Sequence, residues 1–448
     1  MPNPNHPCIV IPGIKGTGLE NIYELPPATT WSTWEAGVVA PDFDSLALES
    51  NGEVDEAEIV VNRASQLLGV AYDSFVQSLR GRDVPVYVFP YDWRYSMVRS
   101  AKKLVNYVLA LQKKNLKSLA PANWDRAFDF ACHSMGGLVF RQFVAAWRSA
   151  MPGTPLPVNR VVFIATPHLG SVDAVESMIR GETVLFGGQK ELRKLARTFP
   201  GVYELLPNPG LQNTVVNQNG VPLDIFDIHN WQSSVTPDPN DPGDFDVEQA
   251  HLTAARGVLN ALPNVSMPEF GLAGRILVIY GIKPNSTLRT VTVDQQKDNW
   301  YDFDHAKMGD GDQVVPVESA LLPGVPSMEV RGEDVSVFNL KSHVLSLHAL
   351  LPSLDEVSSV TSRFFSGVTG AALLPIGTDP ARFHPEDSLS LAGLNKSQRS
   401  ADLSCRSAVF RARQRSPVLF TIASARHGGR WIACPGCRVR SFRTALSP

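Results

Sequence analysis

Ser134, the acids Asp310 and Asp312, and the histidines His343 and His348 are residues whose types and order suit nucleophilic acyl chemistry. A serine hydroxyl attacks a carbonyl well only when a base takes its proton, and an acid must hold that base in the right tautomer. Ser134 stands in Phe128-Asp129-Phe130-Ala131-Cys132-His133-Ser134-Met135-Gly136-Gly137-Leu138-Val139. An apolar run with strand character meets a serine between small residues, and a helical pattern through Leu138, Val139, Phe143 and Val144 follows. This is the strand–turn–helix setting in which a tight turn lifts a serine hydroxyl above a sheet. Gly136 fits the usual G-x-S-x-G pattern; Cys132, also small, stands where its first glycine would be. A stabiliser of the developing oxyanion is needed as well. The glycine-rich Pro12-Gly13-Ile14-Lys15-Gly16-Thr17-Gly18 follows the short apolar run Cys8-Ile9-Val10-Ile11. Its backbone N–H groups can point outward, so the amides of Ile14 and Met135 are the candidate donors. A phosphate loop is the rival, but neither G-x-G-x-x-G nor a Walker pattern is present.

The elements that must position these groups alternate as a parallel sheet demands. Cys8–Ile11, Val84–Phe89, Phe128–Cys132, Val161–Ala165 and Ile276–Tyr280 read as buried strands, and Val335–Phe338 as a further one. Leu104, Tyr107, Val108 and Leu111 fall at helical spacing between two of them. The expected fold is therefore α/β, of the α/β-hydrolase kind: a mostly parallel sheet flanked by helices, with a cap or lid insertion. That fold orders its triad Ser, then Asp or Glu, then His. Asp312 has the spacing to Val315-Pro316 of a post-strand acid loop, with Asp310 in reserve, and His343 and His348 follow it. Asp310 and Asp312 lack EF-hand spacing, and the two histidines are five apart, which does not place two ligands on one helical face. No metal or cofactor is expected.

Two excursions interrupt the sheet. Residues of about 22–65 are rich in Pro, Trp and acidic side chains and read as irregular, with Trp31 and Trp34 packed locally. Residues 172–272 contain helical pieces near Leu192–Ala196 and Glu248–His251 and read as a cap or lid. The hydrolase domain is expected over 1–370. The tail 371–448, with Arg399 through Arg443 and little acidic compensation, reads as a poorly ordered appendage. Its lone Cys434-Pro435-Gly436-Cys437 is half of a zinc pattern without a second half.

Across 448 residues, 44% are hydrophobic and 19% charged, the balance of a globular protein with a large core. A formal net charge of -3 gives no reason to expect a nucleic-acid partner. Five scattered cysteines, no secretory-type N-terminus and no long apolar run lead to the expectation of a cytoplasmic protein.

An ordered set of short motifs goes further. Val10-Ile11-Pro12-Gly13 through Leu19-Glu20, Pro90-Tyr91-Asp92-Trp93-Arg94, His133-Ser134-Met135-Gly136, Thr166-Pro167-His168-Leu169-Gly170, Tyr203-Glu204-Leu205-Leu206-Pro207 and Gly309-Asp310-Gly311-Asp312 run through the first 360 residues or so. In that order they resemble the lecithin:cholesterol acyltransferase family, which includes phospholipid acyltransferases and phospholipases. The resemblance implies a serine lipase, phospholipase or O-acyltransferase, with Ser134 as nucleophile, Asp312 as acid and a histidine as base. His348 is preferred because His348-Ala349-Leu350-Leu351-Pro352-Ser353 is the more similar surrounding. The implied substrate is a lipid or other fatty ester; transient contact to a membrane surface is the alternative reading of the loop tryptophans and the basic tail. No cysteine pair lies in the 30–75 stretch to close the disulfide-bonded lid of some secreted members.

Overall fold

The computed structural model describes residues 5–31, 46–49, 52, 62–67, 69–114, 124–181, 189–237, 245–331, 354–374 and 380–385. The chain separates into two units, 1–393 and 394–448, and the second lies wholly outside the described residues. So do Trp34, the Val335–Phe338 run, both candidate base histidines and the arginine-rich tail.

Strand β1 (Cys8–Ile11) starts the sheet, and its four residues are buried. The chain then leaves it for β2 (Thr17–Asn21), β3 (Ala28–Trp31) and β4 (Asn62–Leu67), which form a separate antiparallel sheet ordered β3-β2-β4. Proline and acidic composition disguised this regular piece inside the stretch read as irregular. Helix α1 (Gly69–Arg80), β5 (Val86–Val88) and helix α2 (Met97–Gln112) follow. Next come β6 (Phe128–His133), helix α3 (Met135–Ala150) and β7 (Val158–Ile164).

The excursion after β7 contains α4 (Val172–Ile179), α5 (Gln189–Thr198), α6 (Pro200–Tyr203), β8 (Val215–Asn217) and α7 (Gln249–Asn260). β9 (Ile276–Val293) and β10 (Tyr301–Gly311) are long, then α8 (Val317–Ala320), β11 (Ser327–Arg331), α9 (Leu354–Phe365) and β12 (Phe383–His384) complete the unit.

The main sheet runs β12-β11-β9-β7-β6-β1-β5, parallel throughout except for β12. Strands buried on both faces need helices on both faces, and the side-chain alternation assigns them. Phe130 packs on Phe140 and Phe143, and Phe163 on Phe140, so this face meets α3, which in turn packs on α2. Val10, Ala131, His133 and Ile164 lie on the opposite face, with Tyr72 and Phe75 of α1 and Val357 of α9.

β9 outgrows the sheet. Its first residues pair with β7 and β11, and its far half pairs with β8 and, antiparallel, with β10. The return strand β10 ends with Gly311 opposite Lys283, which delivers the acid loop to the carboxyl edge of the sheet. Ligand sites of open α/β sheets gather on that edge.

Motifs outside the reacting groups brace this edge. Asp92 and Arg94 form a fully buried two-pronged pair, at 3.0 Å to Oδ1 and 2.7 Å to Oδ2. Tyr91 Oη donates to the Pro12 carbonyl (3.0 Å) and Trp93 Nε1 to that of Thr17 (3.1 Å), clamping the glycine-rich loop at both ends. Glu204 accepts from Ser96 Oγ (2.5 Å) and the Met97 amide (2.6 Å) at the head of α2.

Burial pushes the Glu204 carboxyl from 4.5 up to about 7, against the pull of those two donors. A carboxyl raised by folding favours the native state below its unfolded pKa, and this contribution is lost as pH rises toward the folded value. The unfolding free energy, measured by denaturant titration, should therefore decline from pH 4.5 to about 7. Glu204→Gln should flatten that decline; an unaltered slope would show that Glu204 is ionised throughout.

Candidate active site

Ser134 caps α3 with φ 50° and ψ -128°, a left-handed backbone that non-glycine residues rarely accept. Its amide donates to the Ile164 carbonyl (2.9 Å) and its carbonyl accepts from Gly137 N–H (3.0 Å), so the turn is tied on both sides. The small neighbours have a measurable cause. A Cβ on Gly136 would stand 2.5 Å from the carbonyl oxygens of both Ile11 and Pro12, and one on Gly13 would stand 2.8 Å from Ser134 Cβ. The elbow is thus pressed against the end of β1. Cys132 is fully buried within β6, in ordinary strand backbone, where a small side chain suffices.

Ser134 lines a cleft with Ile14, Lys15, Trp31, Trp93, Asp173, Phe199, Val314 and Val315, among others. Ile14 and Ser134 therefore share one surface. Met135 opens α3, where an amide has no acceptor within its own helix. Trp31 is buried and packs edge-on against Trp93 with ring centroids 5.3 Å apart.

One hydroxyl links the two halves of this arrangement. Tyr72 Oη accepts from the Gly13 amide at 2.8 Å and lies 2.7 Å from His133 Nδ1. An amide can only donate, so the phenolic oxygen accepts from Gly13 and shares a second hydrogen bond with Nδ1, in the direction set by the His133 tautomer. Burial drives the His133 pKa down to about 3, in keeping with a neutral ring. Tyr72 thereby joins the residue before Ile14 to the residue before Ser134. Spacing in the sequence does not signal this tyrosine, because its helix follows the disguised small sheet.

Asp312 is 2% exposed and sits in a closed turn after β10. Its Oδ1 accepts from the amides of Val314 (3.0 Å) and Val315 (2.6 Å). Oδ2 is buried and has no hydrogen-bond partner among the described residues. Burial pushes the Asp312 pKa to about 7, the two amides pull it down, and Asp173 raises it further. Asp310 is half-buried instead, and its carboxylate accepts from the Asn285 amide (3.1 Å) in the β9–β10 ribbon. Ser171 Oγ donates to the Val314 carbonyl (2.5 Å), fastening the loop after β7 to the acid turn. The structure thus brings Ser134, Ile14 and the Val314 and Val315 whose amides bind Asp312 to one cleft, while His343 and His348 lie outside the described residues. Among the described residues no group of three His, Cys, Asp or Glu side chains is placed to hold a metal, and no helix is long and apolar enough to cross a membrane.

Comparison with known proteins follows the same lines. The chain is similar to that in the crystal structure of the Tle4-Tli4 complex, at 16% identity and a TM-score of 0.51 over 80% of this chain and 98% of that one. With the strand order above, this establishes the α/β-hydrolase fold. Bacillus licheniformis lipase BlEst2 in its mature form aligns at 11% identity over 79% of this chain and 94% of its own, with a TM-score of 0.35. Lipase 1 from Pelosinus fermentans aligns at 12% over 82% and 100%, with a TM-score of 0.28. Scores that low add nothing to the argument. No curated protein sequence matches significantly. The motif resemblance, however, holds over a defined stretch: residues 57–239 match the family model of lecithin:cholesterol acyltransferase.

Proposed function

We propose that the protein is a serine-dependent lipid esterase or acyltransferase working through an acyl-serine intermediate. The observation that carries this reading is the left-handed Ser134 at the tip of β6, opening into the same cleft as Ile14 and the turn that holds Asp312. His348 takes the Ser134 proton as Oγ attacks the ester carbonyl, and the amides of Ile14 and Met135 receive the oxyanion. The imidazolium then protonates the departing alcohol. Water or a second alcohol attacks the acyl-serine, giving its proton to His348, and Ser134 is regenerated. Asp312 Oδ2, buried without a partner among the described residues, is a suitable acceptor for the other imidazole N–H. The acid must be ionised to do this; burial opposes that form, and the two backbone amides on Oδ1 favour it.

The substrate is assigned as a lipid or fatty ester, on the family match and on a cleft walled by Trp31, Leu46, Trp93, Leu195, Phe199 and Leu205. Turnover of an ester series of increasing acyl length tests this. A clear rise in kcat/KM with chain length is expected; indifference to length would favour a hydrolase of non-lipid esters.

Tyr72→Phe removes the hydroxyl between Gly13 and His133. With the Gly13 amide, one residue before Ile14, no longer held, the loop that aims the Ile14 amide loosens, and kcat should fall about 10–100-fold with KM little changed, part of the cost of losing one oxyanion donor. Steady-state kinetics on a soluble ester checks this. A rise in KM at constant kcat would place Tyr72 in ground-state binding instead.

A further inference from the structure

The nucleophile and the acid stand after different strands, so something rigid must hold them at a fixed separation. The loop after β7, residues 165–171, touches both. On the elbow side, Ile164 at the end of β7 accepts from the Ser134 amide (2.9 Å), and a Cβ on Gly137 would overlap the side chain of Thr166. The cap rests on the same loop. Ser171 N–H donates to the Leu205 carbonyl (2.9 Å) and Asn208 N–H to that of Leu169 (2.9 Å). A Cβ on Gly170 would overlap the Leu206 carbonyl.

On the acid side the main link is one buried hydroxyl. Ser319 of α8 is fully buried; its Oγ donates to the Gly170 carbonyl (2.6 Å) and accepts from the Leu169 amide (3.1 Å). Its own carbonyl accepts from the His168 amide (2.8 Å). One residue thus grips three successive residues of the loop. Two hydrogen bonds through a single oxygen fix direction as well as distance, because each weakens when its angle departs from linear. Ser171 Oγ on the Val314 carbonyl is the second pin.

Ser319 and Asp312 belong to one closed unit. The Asp312 amide donates to the Val315 carbonyl (3.3 Å), and the Val315 amide returns to Asp312 Oδ1. Gly311 bridges to Pro316, whose carbonyl accepts from the Ser319 amide (2.9 Å). A shift of Ser319 against the loop therefore carries Asp312 with it, relative to Ser134. Misplacing a reacting group by about 1 Å can cost on the order of 10²-fold in rate.

We propose that Ser319 is a positioning residue whose hydroxyl sets the place of Asp312 relative to Ser134 by fastening the acid turn to the loop after β7. The proposal rests on the acyl-serine reading of Ser134 and adds to it a residue that does not line the cleft.

A double-mutant cycle with Asp312 tests it. Asp312→Asn keeps an oxygen for the two valine amides but loses the charge that orients the base. kcat and KM are measured on one activated ester for wild type, Ser319→Ala, Asp312→Asn and the double variant, with thermal melting to confirm folding. Ser319→Ala should lower kcat about 10–100-fold with KM little changed. In the Asp312→Asn background the same substitution should cost no more than about twofold, because the acid it places no longer acts. An equal loss in both backgrounds would show that Ser319 supports the fold or the elbow instead, and overturns the proposal. A Ser319→Ala protein with wild-type kcat overturns it as well. Ser319→Cys, close in volume and a weak donor, repeats the cycle should the alanine variant fail to fold, with the same two patterns deciding. The cycle also separates this proposal from the reading beneath it. An Asp312→Asn protein with wild-type turnover removes the acid assignment, whereas a large Asp312→Asn loss with equal Ser319 costs removes Ser319 alone.

Discussion

Ser134→Ala should lower the turnover of a long-chain ester by about 10⁴–10⁶-fold, leaving only what the oxyanion donors and the cleft achieve without a nucleophile. The size follows from the way the parts cooperate. Once the hydroxyl is gone, the histidine has no proton to take and the acid nothing to orient, so the loss is not shared among three residues. Stability should change far less. The strain at Ser134 is a backbone property fixed by the Ile164 and Gly137 hydrogen bonds, and alanine retains both. A folded, inactive variant is the expected outcome. Activity within tenfold of wild type would move the reacting group elsewhere.

His348→Ala should cost nearly as much, about 10⁴–10⁶-fold, while His343→Ala retains most turnover. Chain order and an unpaired carboxylate oxygen together point to a histidine after Asp312. Asp312 has one oxygen taken by two backbone amides and the other buried with no partner among the described residues. A buried acceptor without a donor is costly, and an imidazole N–H is what an acid in this place would hold. Both histidines follow the acid in sequence, and His348 has the more family-like surroundings. Parallel assays of the two alanine variants, with circular dichroism to confirm folding, decide between them. Loss confined to the His343 variant would reverse the assignment.

The parts of the fold that could be read from the sequence are those governed by burial on two faces. Cys8–Ile11, Phe128–His133 and Ile276 onward announce themselves as apolar runs because parallel strands have no solvent side. The elbow was legible because close backbone approach forbids a side chain at Gly136. Other features depend on long-range contacts that leave no periodic trace. β2, β3 and β4 are separated by up to thirty residues and were hidden among prolines and acids. β8 has three residues and exists because the far half of β9 accepts it. Tyr72, Lys15 and Asp173 are ordinary residue types at unremarkable spacing, and only the folded sheet edge gathers them around Gly13 and Ser134. The Pro90–Arg94 motif was recognised by resemblance, but its work as a clamp on the glycine-rich loop emerges from the hydrogen bonds of Tyr91 and Trp93.

The most direct measurement is covalent. Full-length protein is incubated with a long-chain fluorophosphonate, digested, and the modified peptide sequenced by mass spectrometry. The account predicts a single adduct on Ser134, absent from Ser134→Ala and formed much more slowly in His348→Ala. An intact wild-type protein that never acquires the adduct, or acquires it on another serine, would contradict the account.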